Sequence, residues 1–267
     1  MPKYTIFYIK EGAIMASIIA FANQKGGVGK TTSAVNIAAS VGIIGKKVLM
    51  VDLDPQGNTT SGFGINKKKV KNSTYDVLIG RCTAKEAVIE TEFDNLSLLA
   101  STISLAGAEF DLYEMENREF RLRDAIKEIE SEYDYIFIDC PPSLGMLTVN
   151  ALSSANGVII PMQCEYYALE GLSQLMITLR KIKQLYNPSL EISGILLTMY
   201  NGRLILTAQV VAELKKYYKD KLFRTTISRN VKLSEAPSFG VPVYYHDKFC
   251  KGATEYLDVA RELIARI

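Results

Sequence analysis

Lys25-Gly26-Gly27-Val28-Gly29-Lys30-Thr31-Thr32 decides the reading of this 267-residue chain. Ahead of it, Ser17 to Asn23 (SIIAFAN) is a short apolar run, and behind it an alanine-rich helical pattern extends from Lys30 to about Ile44. Strand, glycine loop and helix in that order make a phosphate cradle. Gly26, Gly27 and Gly29 let backbone N–H groups converge on phosphate oxygens, and the following helix offers its positive end. Gly26, Gly27, Val28, Gly29, Lys30, Thr31 and Thr32 are therefore the expected nucleotide-binding residues. Lys30 supplies a point charge to the β and γ phosphates and Thr31 a hydroxyl to magnesium. ATP and Mg²⁺ are the expected cofactors. The stretch departs from a strict Walker A pattern, which wants glycine where Gln24 stands.

Working outward, Gly45 fits the helix stop, and Lys47 to Asp52 (KVLMVD) is a continuous hydrophobic strand of the kind buried on both faces of a parallel sheet. Further apolar runs recur at Leu96 to Leu99, Tyr135 to Asp139, Val158 to Met162 and Ile192 to Met199. Helical stretches such as Arg121 to Ile129, Leu169 to Leu185 and Ala208 to Tyr218 separate them, and a short helix is expected near Asp76 to Ile79. This alternation predicts an α/β fold, a doubly wound and mostly parallel sheet with helices on both faces. Ala253 to Ile267 carries Tyr256, Leu257, Ala260, Leu263 and Ile264 at helical spacing, which makes it an amphipathic closing helix. Residues 15–267 are expected to form one P-loop domain. Met15 is an alternative start, which makes residues 1–14 an extension that need not be native.

Composition excludes several classes. Hydrophobic residues at 48% and charged residues at 22% argue against long disorder and coiled coil. A net charge of +2 does not by itself identify a polyanion binder, so any such contact depends on local clustering. The densest cluster, Lys67, Lys68, Lys69 and Lys71, reads as a solvated loop, with a phosphate-contacting role as the alternative. Cys82, Cys140, Cys164 and Cys250 form no CxxC pair, and His246 is the one histidine, so zinc and disulfide frameworks are not expected. Unpaired thiols suit a reducing cytoplasm. No stretch is long and apolar enough to span a bilayer.

Three carboxylates complete the constellation. Asp139 follows the apolar run Tyr135 to Ile138, the arrangement of a Walker B acid that takes magnesium through water. Asp52 and Asp54 end the second strand in VDLDPQGN, and strand alternation turns both towards the phosphates. A second lysine at the loop tip, Lys25, cannot easily share the space filled by Lys30. Together KGGVGKTT, VDLDPQGNTTSG and YDYIFIDCPPSLG resemble the ParA family of deviant-Walker partition ATPases, relatives of the MinD division-site regulators, from about Ser17 to the C-terminus. The resemblance implies that Lys25 reaches across a dimer interface to the partner's phosphates, like an arginine finger supplied in trans. It implies that Asp54 positions the attacking water and that Asp52 helps hold hydrated magnesium, on a switch loop shaped by Pro55 and Gly57. Lys25, Lys30 and Asp54 are then the catalytic residues, and Thr31, Asp52 and Asp139 the magnesium set. Nitrogenase-type iron proteins share the fold, but their bridging cluster needs two well-placed cysteines per subunit, whereas Cys140 stands alone in DCPP.

Ile227 to Ser238 (ISRNVKLSEAPS), followed by Gly240, is similar to the same family's PRNVxLSEAPS stretch, with Ser228 in place of proline near the expected adenine site. By the same resemblance Arg203 and Lys232 contribute to a surface for non-specific DNA, although Asn201-Gly202 departs from the pattern before Arg203. The implied function is an ATP-dependent homodimerising switch that binds DNA and drives chromosome or plasmid partition with a ParB-like partner that stimulates hydrolysis. Its place is the cytoplasm, on the nucleoid. One rival is a MinD-like membrane switch, which ends in a basic amphipathic tail. This chain stops at Ala265-Arg266-Ile267, so no stable membrane association is expected. The other rival, a metal-cluster carrier, would need the missing CxxC pair.

Overall fold

The apolar runs on either side of the glycine loop become the middle of a sheet. In the computed structural model, which describes residues 15–267, the strands are β1 Ser17–Phe21, β2 Val48–Asp52, β3 Val88–Glu90, β4 Leu96–Leu99, β5 Tyr135–Asp139, β6 Gly157–Gln163 and β7 Glu191–Thr198. Residues 1–14, the expected extension, lie outside the described residues. Spatial order is β3-β4-β2-β5-β1-β6-β7, parallel throughout except for β3 against β4. The doubly wound reading holds. From β1 the chain moves out to β2 and β4, returns to insert β5 between β2 and β1, and then continues on the far side with β6 and β7. This reversal beside β1 is the switch point at which open α/β sheets leave a crevice for ligands. Register makes the crevice sharp: Phe21 pairs with Asp139, and Asp139 with Asp52, so β1, β5 and β2 end level and their loops converge.

Strand alternation divides the core in two. Ile18, Ala20, Leu49, Val51, Ile136 and Ile138 face one layer, with the helices Met146–Ser154, Ala168–Leu185 and Ile205–Tyr218. Ile19, Phe21, Val48, Met50, Tyr135 and Phe137 face the other, with helix α1 (Lys30–Ile43) and the closing helix Lys251–Arg266. Because β2 and β5 are buried at every position, they read as unbroken apolar runs. The closing helix turns Tyr256, Val259, Ala260 and Leu263 inward, and each large buried side chain of this kind contributes roughly 1.5–3 kcal/mol. The Tyr256 hydroxyl, wholly buried, shares a 3.1 Å hydrogen bond with Ser33 of α1. This helix therefore spends its apolar face on the protein core. Among the described residues no helix is long and apolar enough to cross a membrane.

Several boundaries differ from expectation: the helix expected from Ala208 begins at Ile205, and the closing helix expected from Ala253 begins at Lys251. The helix from Arg121 ends at Ile126, and Glu130–Glu132 forms a separate 3₁₀ turn. The short helix expected near Asp76–Ile79 begins earlier, at Thr74–Leu78, because Ser73 and Asp76 make a capping box.

Candidate active site

Gly27 and Gly29 hold φ angles of +74° and +79°, in the left-handed region that side chains resist. Gly29 is the N-cap of α1 and brings no side chain to cap the helix, so first-turn N–H groups face the cleft. A Cβ on Gly26 or Gly27 would meet nothing within 4 Å, so the loop leaves open space in front of its backbone. Lys25, Gly26, Gly27, Gly29, Lys30, Thr31 and Thr32 line a cleft of about 310 Å³ together with Asp54 and Asn58. Val28 points the other way. It is buried, and its carbonyl accepts a 2.7 Å hydrogen bond from Thr198 Oγ1 at the end of β7. Gln163 Nε2 donates to the Gly27 carbonyl at 2.9 Å, tying the loop to β6 as well.

Lys30 is only 7% exposed, with its Nζ 3.7 Å from Asp139 Oδ1. Asp139 is fully buried; Oδ2 accepts from Thr59 Oγ1 at 2.8 Å, whereas Oδ1 has no hydrogen-bond partner of ordinary geometry. Burial pushes the Asp139 carboxyl up, while the Lys30 charge and the Thr31 and Thr59 hydroxyls act to lower it. A buried carboxylate oxygen without a partner, beside a threonine at the cleft, suits the water shell of a hard divalent cation. Among the described residues no three His, Cys, Asp or Glu side chains gather into a metal cage. A cation here depends on ligand phosphates, as Mg²⁺ commonly does.

Asp52 occupies a different position from the other two acids. It is wholly buried behind Asp139, with Oδ2 accepting from Thr60 N at 2.8 Å and Thr60 Oγ1 at 2.7 Å, and Oδ1 accepting from Asp54 N at 3.2 Å. Both oxygens are engaged within the protein. Burial first, and the neighbouring Asp139 charge second, raise its carboxyl to about 7. Asp54 does reach the cleft, with Oδ1 accepting from Gln56 N at 2.9 Å and its carbonyl from Ser101 Oγ at 2.7 Å.

Lys25 stands at the rim. Its ammonium pairs with Glu165, just before the Ala168–Leu185 helix, and the two side chains are 39% and 50% exposed. Cys140 is buried in the core behind Asp139, and burial pushes its thiol far up. A smaller pocket of about 170 Å³ adjoins the cleft through Gly29, Thr32 and Met199 and is closed by Ser228, Asn230 and Tyr256. Ser228 gives its N–H and hydroxyl to Glu255 at 2.8 and 2.6 Å, a pairing that proline could not make. Arg203 is exposed and Lys232 half-buried; neither lines the cleft, and Lys232 Nζ pairs with Glu235 at 2.8 Å. Sequence reasoning missed Thr59, Thr60, Gln163, Thr198 and Glu165. The first two were within reach, as hydroxyls in the same NTT stretch that follows the paired aspartates.

Residues 16–192 match the family described as AAA domain. The chain is 52% identical over 251 residues to the sporulation initiation inhibitor protein Soj of Bacillus subtilis, covering 94% of this chain and 99% of that one. It is 50% identical to the chromosome partitioning protein ParA of Myxococcus xanthus, covering 95% and 90%. A crystal structure of cobyrinic acid a,c-diamide synthase from Mycobacterium smegmatis, with bound ADP and magnesium, superposes with a TM-score of 0.82 at 36% identity, covering 94% of each chain. With its glycine loop, level strand ends and near-complete alignment to partitioning relatives, the chain belongs to the ParA family of deviant-Walker partition ATPases.

Proposed function

We propose that this ATPase is a dimerising switch for DNA partition. The Gly26–Thr32 backbone and Lys30 hold the phosphates of ATP. Thr31 through its hydroxyl and Asp139 through water would hold a magnesium ion, which would supply neutralisation of the phosphate charge. Asp52 serves this set indirectly, by fixing Thr60 and lying against Asp139. Asp54, in the cleft, orients the attacking water. Lys25 leaves Glu165 and enters the cleft of a second copy, so hydrolysis requires the dimer. Basic side chains outside the cleft, Arg203 and Lys232 among them, meet DNA phosphates without reading bases. A ParB-like partner stimulates turnover, and the switch works in the cytoplasm on the nucleoid.

The observation that carries this reading is the division of labour between two lysines. Lys30 is buried 3.7 Å from Asp139, while the Lys25 ammonium stands at the cleft rim, paired with Glu165. The test is sedimentation with ATP, ADP or no nucleotide, beside phosphate release at increasing protein concentration. The reading expects dimers with ATP alone and a specific rate that rises with concentration; a concentration-independent rate contradicts it.

A further inference from the structure

We propose that Lys67 is a positioning residue for Asp54, bracing the switch loop from outside the cleft. The inference rests on the reading that Asp54 orients the attacking water. Of the basic run Lys67, Lys68, Lys69 and Lys71, the last three are exposed, and Lys67 is half-buried. The cause is local. Asn66 caps a single 3₁₀ turn, Lys67–Lys69, by accepting from Lys68 N at 3.0 Å, and the turn sends Lys67 inward. Its Nζ donates to the Gln56 carbonyl at 2.8 Å. Gly57 has φ +62°, and a Cβ there would lie 2.7 Å from Lys67 Cδ, so the lysine stem lies directly against the glycine.

That contact matters because of what the same loop holds. Gly57 N donates to the Asp54 carbonyl at 2.8 Å, so the Gln56–Gly57 peptide is pinned at both ends, by Lys67 outside and by Asp54 within. Gln56 N then donates to Asp54 Oδ1 at 2.9 Å and sets the direction of the carboxylate. Releasing the outer pin lets the peptide and the Asp54 side chain rotate together. Lys67 hydrogen-bonds to Gln56 and does not line the cleft, so its loss acts on turnover and not on nucleotide binding.

The experiment measures kcat, the affinity for a fluorescent ATP analogue and Tm in DNA-free buffer for the wild type and Lys67→Ala, Lys67→Arg, Lys69→Ala and Asp54→Asn. One charge-assisted hydrogen bond at a half-exposed site is worth about three- to tenfold, so Lys67→Ala lowers kcat by that factor at unchanged nucleotide affinity, with Tm down by no more than ~4 °C. Lys67→Arg restores most of the rate, and Lys69→Ala matches the wild type. Wild-type kcat in Lys67→Ala, beside an inactive Asp54→Asn, overturns the role of Lys67 alone. An equal loss in Lys69→Ala overturns it too, as a general charge effect. Normal turnover in Asp54→Asn overturns the Asp54 reading and this inference with it.

Discussion

Replacing Lys25 by alanine removes an ammonium that pairs, within one chain, with Glu165 at the rim of the cleft. The two side chains are 39% and 50% exposed, so solvent screens the pair and it contributes less than about 1 kcal/mol. At a few degrees per kcal/mol for a chain of this size, Tm falls by no more than ~4 °C. The phosphate-binding backbone and Lys30 stay in place, so ATP affinity changes by less than about threefold. A cation delivered in trans to the transferring phosphoryl group, by contrast, is worth on the order of 10³ in rate. Lys25→Ala thus separates binding from turnover by more than two orders of magnitude. Single-turnover phosphate release, equilibrium nucleotide titration and sedimentation with ATP measure the three quantities on one preparation. A full ATP dimer with wild-type release would refute the reasoning. So would a parallel loss of ATP affinity, which would make Lys25 an ordinary member of its own loop.

Asp54→Ala removes the cleft carboxylate proposed to orient the attacking water; it should trap an ATP-bound dimer that holds DNA while phosphate release stops, read by retention on immobilised DNA. Arg203→Ala and Lys232→Ala should each reduce the slope of log K for DNA against log salt by about two, one contact per copy in the ATP dimer, while sparing dimerisation, with the smaller loss of affinity at Lys232, whose charge already meets Glu235. Asp52 supplies a pH test in nucleotide- and magnesium-free protein. Its folded value of about 7 lies above that of the unfolded chain, so the stability it contributes below pH 4 is lost as pH rises through 7. Asp52→Asn should consequently raise Tm relative to the wild type more at pH 8 than at pH 5, by calorimetry.

How much of this was legible depends on what each residue had to do. The six longer strands and the phosphate loop stand out in sequence because sheet burial demands continuous apolar runs and the turn at Gly27 and Gly29 demands glycine. β3 does not, since two half-buried residues and one exposed one on an antiparallel edge carry no such pattern. The Met146–Ser154 helix also escapes, because it is buried on nearly every side and so lacks a polar face to reveal its period. In the site, Lys30, Asp54 and Asp139 announce themselves by type and spacing. Three other features are less legible: Asp52 closed off by Thr60 and Lys67 folded back on Gln56 depend on how a short loop turns, and Lys25 held by Glu165 depends on a contact across the sheet. The loop turns are not written in residue type, and sequence separation hides the third pair until the sheet assembles.

The central claim is that ATP gates a DNA-binding dimer, and a mobility shift with ATP, ADP and no nucleotide, run beside liposome pelleting, tests it most directly. The account predicts DNA retardation with ATP alone, little preference among sequences, a steep loss with added salt, and no lipid pelleting in any state. Equal DNA binding in all three nucleotide states, or lipid binding without DNA binding, would contradict it.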